Sequence, residues 1–141
     1  GRDNARTPMQ WDDSENAGFT TGNPWIVVNP NYKTINAKAA LADKNSIFYY
    51  YKKLIALRKE EPLIVYGHYA LLEPENESLY VYTRSLDEQK LLVICNFTKD
   101  AVEYQVPDEF AGAQTLIGNY DRDKADGTIE LKPYEALVLK K

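Results

Sequence analysis

The chain has 141 residues, one domain's worth of sequence, which excludes a complete large enzyme. Hydrophobic residues at 44% and charged residues at 27% are ordinary globular usage and exclude both a disordered acidic tail and a membrane protein. Lys and Arg number 17 against 21 Asp and Glu, a net charge of −4, so the chain lacks the basic face that a nucleic-acid binder needs to release counterions.

Residues 1 to about 45 read as polar and loop-like, with Trp11 and Trp25 set among turn formers and no strong hydrophobic period. Asp12 to Gly18, Gly22-Asn23-Pro24 and Asn29-Pro30-Asn31-Tyr32 carry turn chemistry, because a residue before proline is pushed out of the helical region. A loop this long inside a compact domain needs a surface to pack against. A helix is expected over about 46–59, capped by Asn45 or Ser46, with Ile47, Phe48, Tyr51, Leu54, Ile55 and Leu57 along one wide apolar face. Arg58 and Lys59 suit its C-terminal dipole and Pro62 stops it.

Beyond Pro62, short apolar or alternating runs recur about every ten residues, the pattern of an antiparallel sandwich or barrel. Tyr69–Glu73 and Leu79–Arg84 flank a Pro-Glu-Asn-Glu-Ser turn and read as a hairpin, and residues 86–89 turn the chain again. Lys90–Phe97 has the continuous apolar stretch of a central strand covered on both faces. Runs at 101–106, 114–117, 128–131 and 136–139 bring the expectation to about seven strands.

Candidate chemistry is sparse. Most carboxylates fall in turns, including Asp12-Asp13, Asp87-Glu88 and Asp121-Arg122-Asp123, and read as solvated charge, because catalytic carboxylates need burial or charged neighbours to tune them. The Asp121–Gly127 stretch lacks the alternating ligands and terminal Glu of an EF-hand. His68 and Cys95 are the only residues of their kinds, so no Cys/His metal site can be built within one chain and no cofactor is expected. Cys95, mid-strand, reads as an inert core thiol. The sequence has neither a Gly-x-Ser-x-Gly elbow nor a phosphate-cradling glycine loop. Tyr80 and Tyr82 share one strand face, which opens a sugar-stacking reading, with cross-strand packing the stronger one. Asn76-Glu77-Ser78 and Asn96-Phe97-Thr98 match the glycosylation sequon, but no secretory signal is visible. With one cysteine and no apolar run near a membrane span, the expected compartment is the cytoplasm. An opening at Gly1, with the one methionine at Met9, leads us to expect a piece of a longer protein.

The most specific string is Arg2-Asp3-Asn4-Ala5-Arg6-Thr7-Pro8-Met9-Gln10-Trp11-Asp12, followed by Asn16-Ala17-Gly18-Phe19, Pro24-Trp25 and Asn29-Pro30-Asn31-Tyr32. It closely resembles the late catalytic-domain segment of the α-glucosidases of glycoside hydrolase family 13, above all the oligo-1,6-glucosidase group with its dextran glucosidases, isomaltases and trehalose-6-phosphate hydrolases. The resemblance continues through the helix and Leu91–Thr98 and covers essentially the whole chain. It implies a mainly β chain: residues 1–62 as the tail of a (β/α)8 catalytic barrel, and residues 63–141 as an antiparallel Greek-key β-sandwich. It also implies a retaining mechanism whose nucleophile, acid/base and third aspartate lie upstream, so no catalytic residue carries over. The implied partners are the chain's own upstream barrel and, through the complete active site, an oligosaccharide. One residue does carry over: Arg2 matches the family arginine that reaches the non-reducing-end glucose. An ion pair with Asp3 or Asp12 is the structural alternative for Arg2, while Arg6, Gln10 and Trp11 are expected to anchor the loop. For the sandwich, a structural role competes with sugar binding.

Overall fold

The computed structural model describes residues 1–122 and 124–141. The chain forms two compact units, Gly1–Ile55 and Ala56–Lys141, and the division falls inside the helix Ile47–Glu60.

The first unit holds three short 3-10 turns, Arg2–Arg6, Glu15–Gly18 and Pro30–Lys33, then α1 (Ala37–Ala42) and the start of α2 (Ile47–Glu60). The sequence reading leaves α1 as loop, yet its run Ala-Lys-Ala-Ala-Leu-Ala is built from strong helix formers. Asn36 caps it, its Oδ1 accepting from Ala39 N at 2.8 Å. α2 lies within a residue of its expected bounds. The Ser46 hydroxyl does not cap it, however, but donates to Ala40 O at 2.6 Å. No residue of α2 is buried, and its apolar stripe through Ile47, Phe48, Tyr51 and Ile55 faces solvent.

In the second unit, Glu61 is extended and Pro62 opens α3 (Pro62–Tyr66) instead of only ending α2, since proline's missing N–H costs nothing in a first helical turn. Seven strands follow: β1 (His68–Leu72), β2 (Leu79–Leu86), β3 (Gln89–Asn96), β4 (Val102–Gln105), β5 (Gln114–Gly118), β6 (Thr128–Leu131) and β7 (Ala136–Lys140). All pairings are antiparallel, in a five-stranded sheet of order β1-β2-β3-β7-β5 and a two-stranded sheet β4-β6. The β2–β3 hairpin turns at Asp87 with φ of 52°.

The core lies between the two sheets. Leu79, Val81, Leu92, Ile94, Leu137 and Leu139 meet Tyr104, Ile129 and Leu131, with Phe110 from the 3-10 turn Asp108–Phe110 fully buried among them. These residues alternate along their strands, so one register places each whole set inward.

One corner is polar and buried. Asn96, the last residue of β3, donates from Nδ2 to Asp100 O (2.8 Å) and Lys132 O (2.9 Å), and its Oδ1 accepts from Thr98 N (2.9 Å). That satisfied burial closes the second sequon within the fold. Beside it Glu135, 1% exposed, takes the Arg122 guanidinium at 2.7 and 3.0 Å and Lys132 N at 2.8 Å. Burial pushes the Glu135 carboxyl up, but the Arg122 fork and the Lys132 N–H together outweigh it and hold it below the usual carboxylate range.

Two stability tests follow from this packing. Truncating Phe110→Ala should cost about 3–5 kcal/mol in chemical denaturation, as expected for an aromatic ring removed from a closed core. Arg122→Leu should cost about 3–5 kcal/mol near neutral pH by leaving Glu135 buried without its counter-charge. A lowered folded-state pKa contributes stability above the ordinary carboxylate pKa that is lost as the pH falls through the lowered one. The gap between parent and Arg122→Leu therefore narrows on acidification, which denaturation midpoints measured from pH 7 to pH 3 would read directly.

Candidate functional site

The residues singled out by sequence converge on the loops of the first unit. Their frame is the backbone of Gln10–Asp12. Trp11 N and Asp12 N both donate to Ala17 O at 2.9 and 3.2 Å, while Gln10 O and Trp11 O accept from Ala37 N and Lys38 N, both at 2.9 Å. The Gln10 amide adds bonds to Asn31 Oδ1 at 3.0 Å and to Ile35 O. Gln10 and Trp11 thus anchor loop to loop and loop to α1 within the first unit.

The Asn16-Ala17-Gly18 motif has a backbone reason. All three residues lie in the left-handed region, with φ of 53°, 58° and 65°, and Ala17 is completely buried. Asn tolerates that region because its amide bonds locally, here to Thr20 O at 3.2 Å and Gly22 O at 3.1 Å. At Gly18 a Cβ would lie 2.8 Å from an Asp12 carboxylate oxygen. Two successive non-glycine residues with positive φ hold strain of the kind concentrated at functional loops. Asp12 accepts from Ser14 N at 2.8 Å and from the Ser14 hydroxyl, and these bonds hold its carboxyl below the usual range. Asp13 is tied through its main-chain oxygen and its carboxylate to Lys33 and Lys38.

Arg2 opens the first 3-10 turn and is exposed. Neither expected acid takes it: Asp3 pairs with Arg6 and Asp12 with Ser14, so among the described residues the Arg2 guanidinium has no ion pair. Trp25 is 99% exposed, and Trp11 and Phe19 are about half exposed, so the loops of this unit present aromatic faces to solvent.

The other candidates disperse. Among the described residues no group of three His, Cys, Asp or Glu is arranged to hold a metal ion. In the Asp121–Gly127 stretch, Arg122 is engaged by Glu135 and Asp126 accepts from Gly112 N at 2.7 Å, while Asp123 lies outside the described residues. Cys95 is not in the core but half-buried on the outer face of the five-stranded sheet, opposite Tyr80, where burial pushes its thiol up. Tyr82 is raised by burial and Tyr104 by burial to about 12, so neither titrates near neutrality. Glu135, the one buried acid among the described residues, was missed by sequence reasoning. Its signal is faint: a charged residue directly before the apolar run of β7. No helix among the described residues is long and apolar enough to cross a membrane.

Two family models match the chain, "Alpha amylase, catalytic domain" over residues 1–67 and "Alpha-amylase SusG C-terminal domain" over residues 79–138. The chain is 56% identical to the oligo-1,6-glucosidase of Parageobacillus thermoglucosidasius, the match covering 99% of this chain and 26% of that protein. It is 43% identical to the trehalose-6-phosphate hydrolase of Bacillus subtilis over 97% of this chain and 25% of the relative. The crystal structure of Bacillus licheniformis trehalose-6-phosphate hydrolase superposes with a TM-score of 0.92 at 48% identity, covering 99% of this chain and 26% of that one. The chain spans about a quarter of the length of the relatives it matches. With its loop string, its antiparallel sandwich and these matches in agreement, the chain belongs to the α-amylase family, glycoside hydrolase family 13, in the group of the oligo-1,6-glucosidases and trehalose-6-phosphate hydrolases.

Proposed function

We propose that the chain is part of a retaining α-glucosidase that cleaves terminal α-1,6 glucosidic bonds of oligosaccharides, with α-1,4 bonds as the second linkage. The reading is carried by the 56% identity, sustained over 99% of the chain, to an oligo-1,6-glucosidase. In it, residues 1–62 end a (β/α)8 catalytic barrel and residues 63–141 form a structural sandwich. The exposed apolar stripe of α2 supports this assignment: Ile47, Phe48, Tyr51 and Ile55 form the kind of face that a soluble helix buries against neighbours. The cytoplasm is the working compartment.

Catalysis in this scheme belongs to two barrel carboxylates upstream, standing about 5–5.5 Å apart across the glycosidic bond, one as nucleophile and the other as acid/base. That chemistry needs no cofactor. The contribution of this chain is Arg2. A guanidinium stays charged and offers five donors in a fixed fork, suited to neighbouring sugar hydroxyls in a site crowded with carboxylates. Its freedom from Asp3 and Asp12 supports that role, since an arginine held in a local ion pair would have fewer donors to give. A second reading, hydrolysis of a phosphorylated disaccharide, is favoured by the TM-score of 0.92 to a trehalose-6-phosphate hydrolase.

Two outcomes test the proposal. The purified 141-residue chain should release no glucose from isomaltose or maltose, and turnover surviving repeated purification would overturn the assignment of catalysis to upstream residues. In the full-length enzyme, Arg2→Ala should lower kcat/KM for isomaltose by about 10- to 100-fold, the worth of a charged hydrogen bond of about 1.5–3 kcal/mol, with the unfolding temperature unchanged. Unchanged kinetics would remove Arg2 from the site.

A further inference from the structure

The stretch leading into β6 lacks the ligand pattern of a calcium loop, but it ends in the one Asp-Gly pair of the sequence, Asp126-Gly127. In such a pair the glycine nitrogen can attack the aspartyl carboxyl, because glycine has no Cβ to obstruct the approach. In a folded chain the attack has three local requirements. The carboxyl must be exposed, the nitrogen must be unengaged, and a donor must face the oxygen that gains charge as the new bond forms.

All three are met. Asp126 and Gly127 are both exposed, and the space a Cβ at Gly127 would fill is empty. Gly127 O accepts from Val106 N at 2.9 Å where the β4–β6 ladder ends, whereas among the described residues Gly127 N donates to no acceptor. Gly112 N, just beyond the 3-10 turn Asp108–Phe110, donates to Asp126 Oδ1 at 2.7 Å. That N–H both fixes the carboxyl and stands where a donor to a developing oxyanion is needed.

We propose that Asp126 is a site of spontaneous aspartate-to-isoaspartate conversion. Gly127 N bonds to Asp126 Cγ, and its proton leaves with the carboxyl hydroxyl as one water, closing a five-membered imide. A water then returns to the ring. Addition at the main-chain carbonyl breaks that carbon's bond to Gly127 N and leaves the chain running through Cγ, while addition at Cγ restores aspartate. The isoaspartyl product has one more methylene in the main chain and a free α-carboxylate, and the side-chain acceptor for Gly112 N is gone. Its neighbours Ala125 and Ile129 are core residues, 1% and 6% exposed, so lengthening the chain between them loosens the anchoring of this loop in the sandwich.

The test incubates the full-length enzyme and a free peptide of residues 119–131, warm and at neutral pH, for several weeks. Mass spectrometry that separates the two linkages reads the outcome at Asp126, and methyl transfer from S-adenosylmethionine by an isoaspartyl carboxyl methyltransferase counts the product independently. The folded enzyme should convert Asp126 at a rate comparable with the peptide's, and conversion slower by an order of magnitude or more overturns the proposal. In the same enzyme Asp126→Asn keeps the acceptor for Gly112 N and offers ammonia as the leaving group. That variant should pass to aspartate and isoaspartate many-fold faster than the parent converts, and an asparagine that persists overturns the proposal. Neither readout involves sugar, so both stand apart from the α-glucosidase reading.

Discussion

Strand β3 is apolar on both sides, and the organisation of the second unit follows from that constraint. An apolar surface left in water costs about 25 cal/mol per Å², so each side of β3 needs a cover. Leu92 and Ile94 obtain theirs from the two-stranded sheet and Phe110, which makes the sandwich. Leu91 and Val93 obtain theirs on the opposite side, where α3 lies against β2 and β3. The Pro62–Gly67 stretch is thereby part of the β unit although it matches the catalytic-domain model, and sequence similarity and packing draw their boundaries at different residues. Gly67 marks how close that packing is: a Cβ there would come within 3.2 Å of Arg84 Cβ and 2.4 Å of Leu63 O.

The polar corner at Asn96 and Glu135 solves the problem that the same strand creates where it ends. β3 must stop inside the protein, and its last backbone groups cannot be left dry. Asn96 N donates to Glu135 O, the Asn96 side chain ties the turns on either side, and Arg122 neutralises the acid that Lys132 N also binds. A bidentate guanidinium–carboxylate pair is directional, so it sets the path of the chain into β7 as well as neutralising charge. Hydrophobic covering orders the sheets, and this network orders one of their ends.

Much of this was legible in sequence because it is periodic. Seven strands and the 14-residue helix α2 have repeating patterns long enough to read, and their ends fall within one or two residues of expectation. What escaped is short or non-local. α1 has six residues and α3 five, too few for a period, and in each the helix start depends on one capping or proline residue. Cys95 reads as a core residue from sequence because an apolar run does not reveal which of two faces is fully covered. Glu135 was missed because its partner lies 13 residues away across a turn, and no local pattern separates a buried acid from a solvated one.

The candidate site was legible for a different reason. Its string is specific because the loop conformation is demanding: three consecutive left-handed residues, a fully buried Ala17, and Asp12 occupying the space beside Gly18. Each requirement narrows the acceptable residues at one position, and together they write a recognisable sequence without periodicity. Such strain persists only where surrounding bonds over-determine it, and here they run from Gln10–Asp12 to Ala17 and to the start of α1. Those residues build the loop, and Arg2 stands outside its bonding. The loop-building half of the motif is thus internally satisfied, while Arg2 makes no ion pair among the described residues.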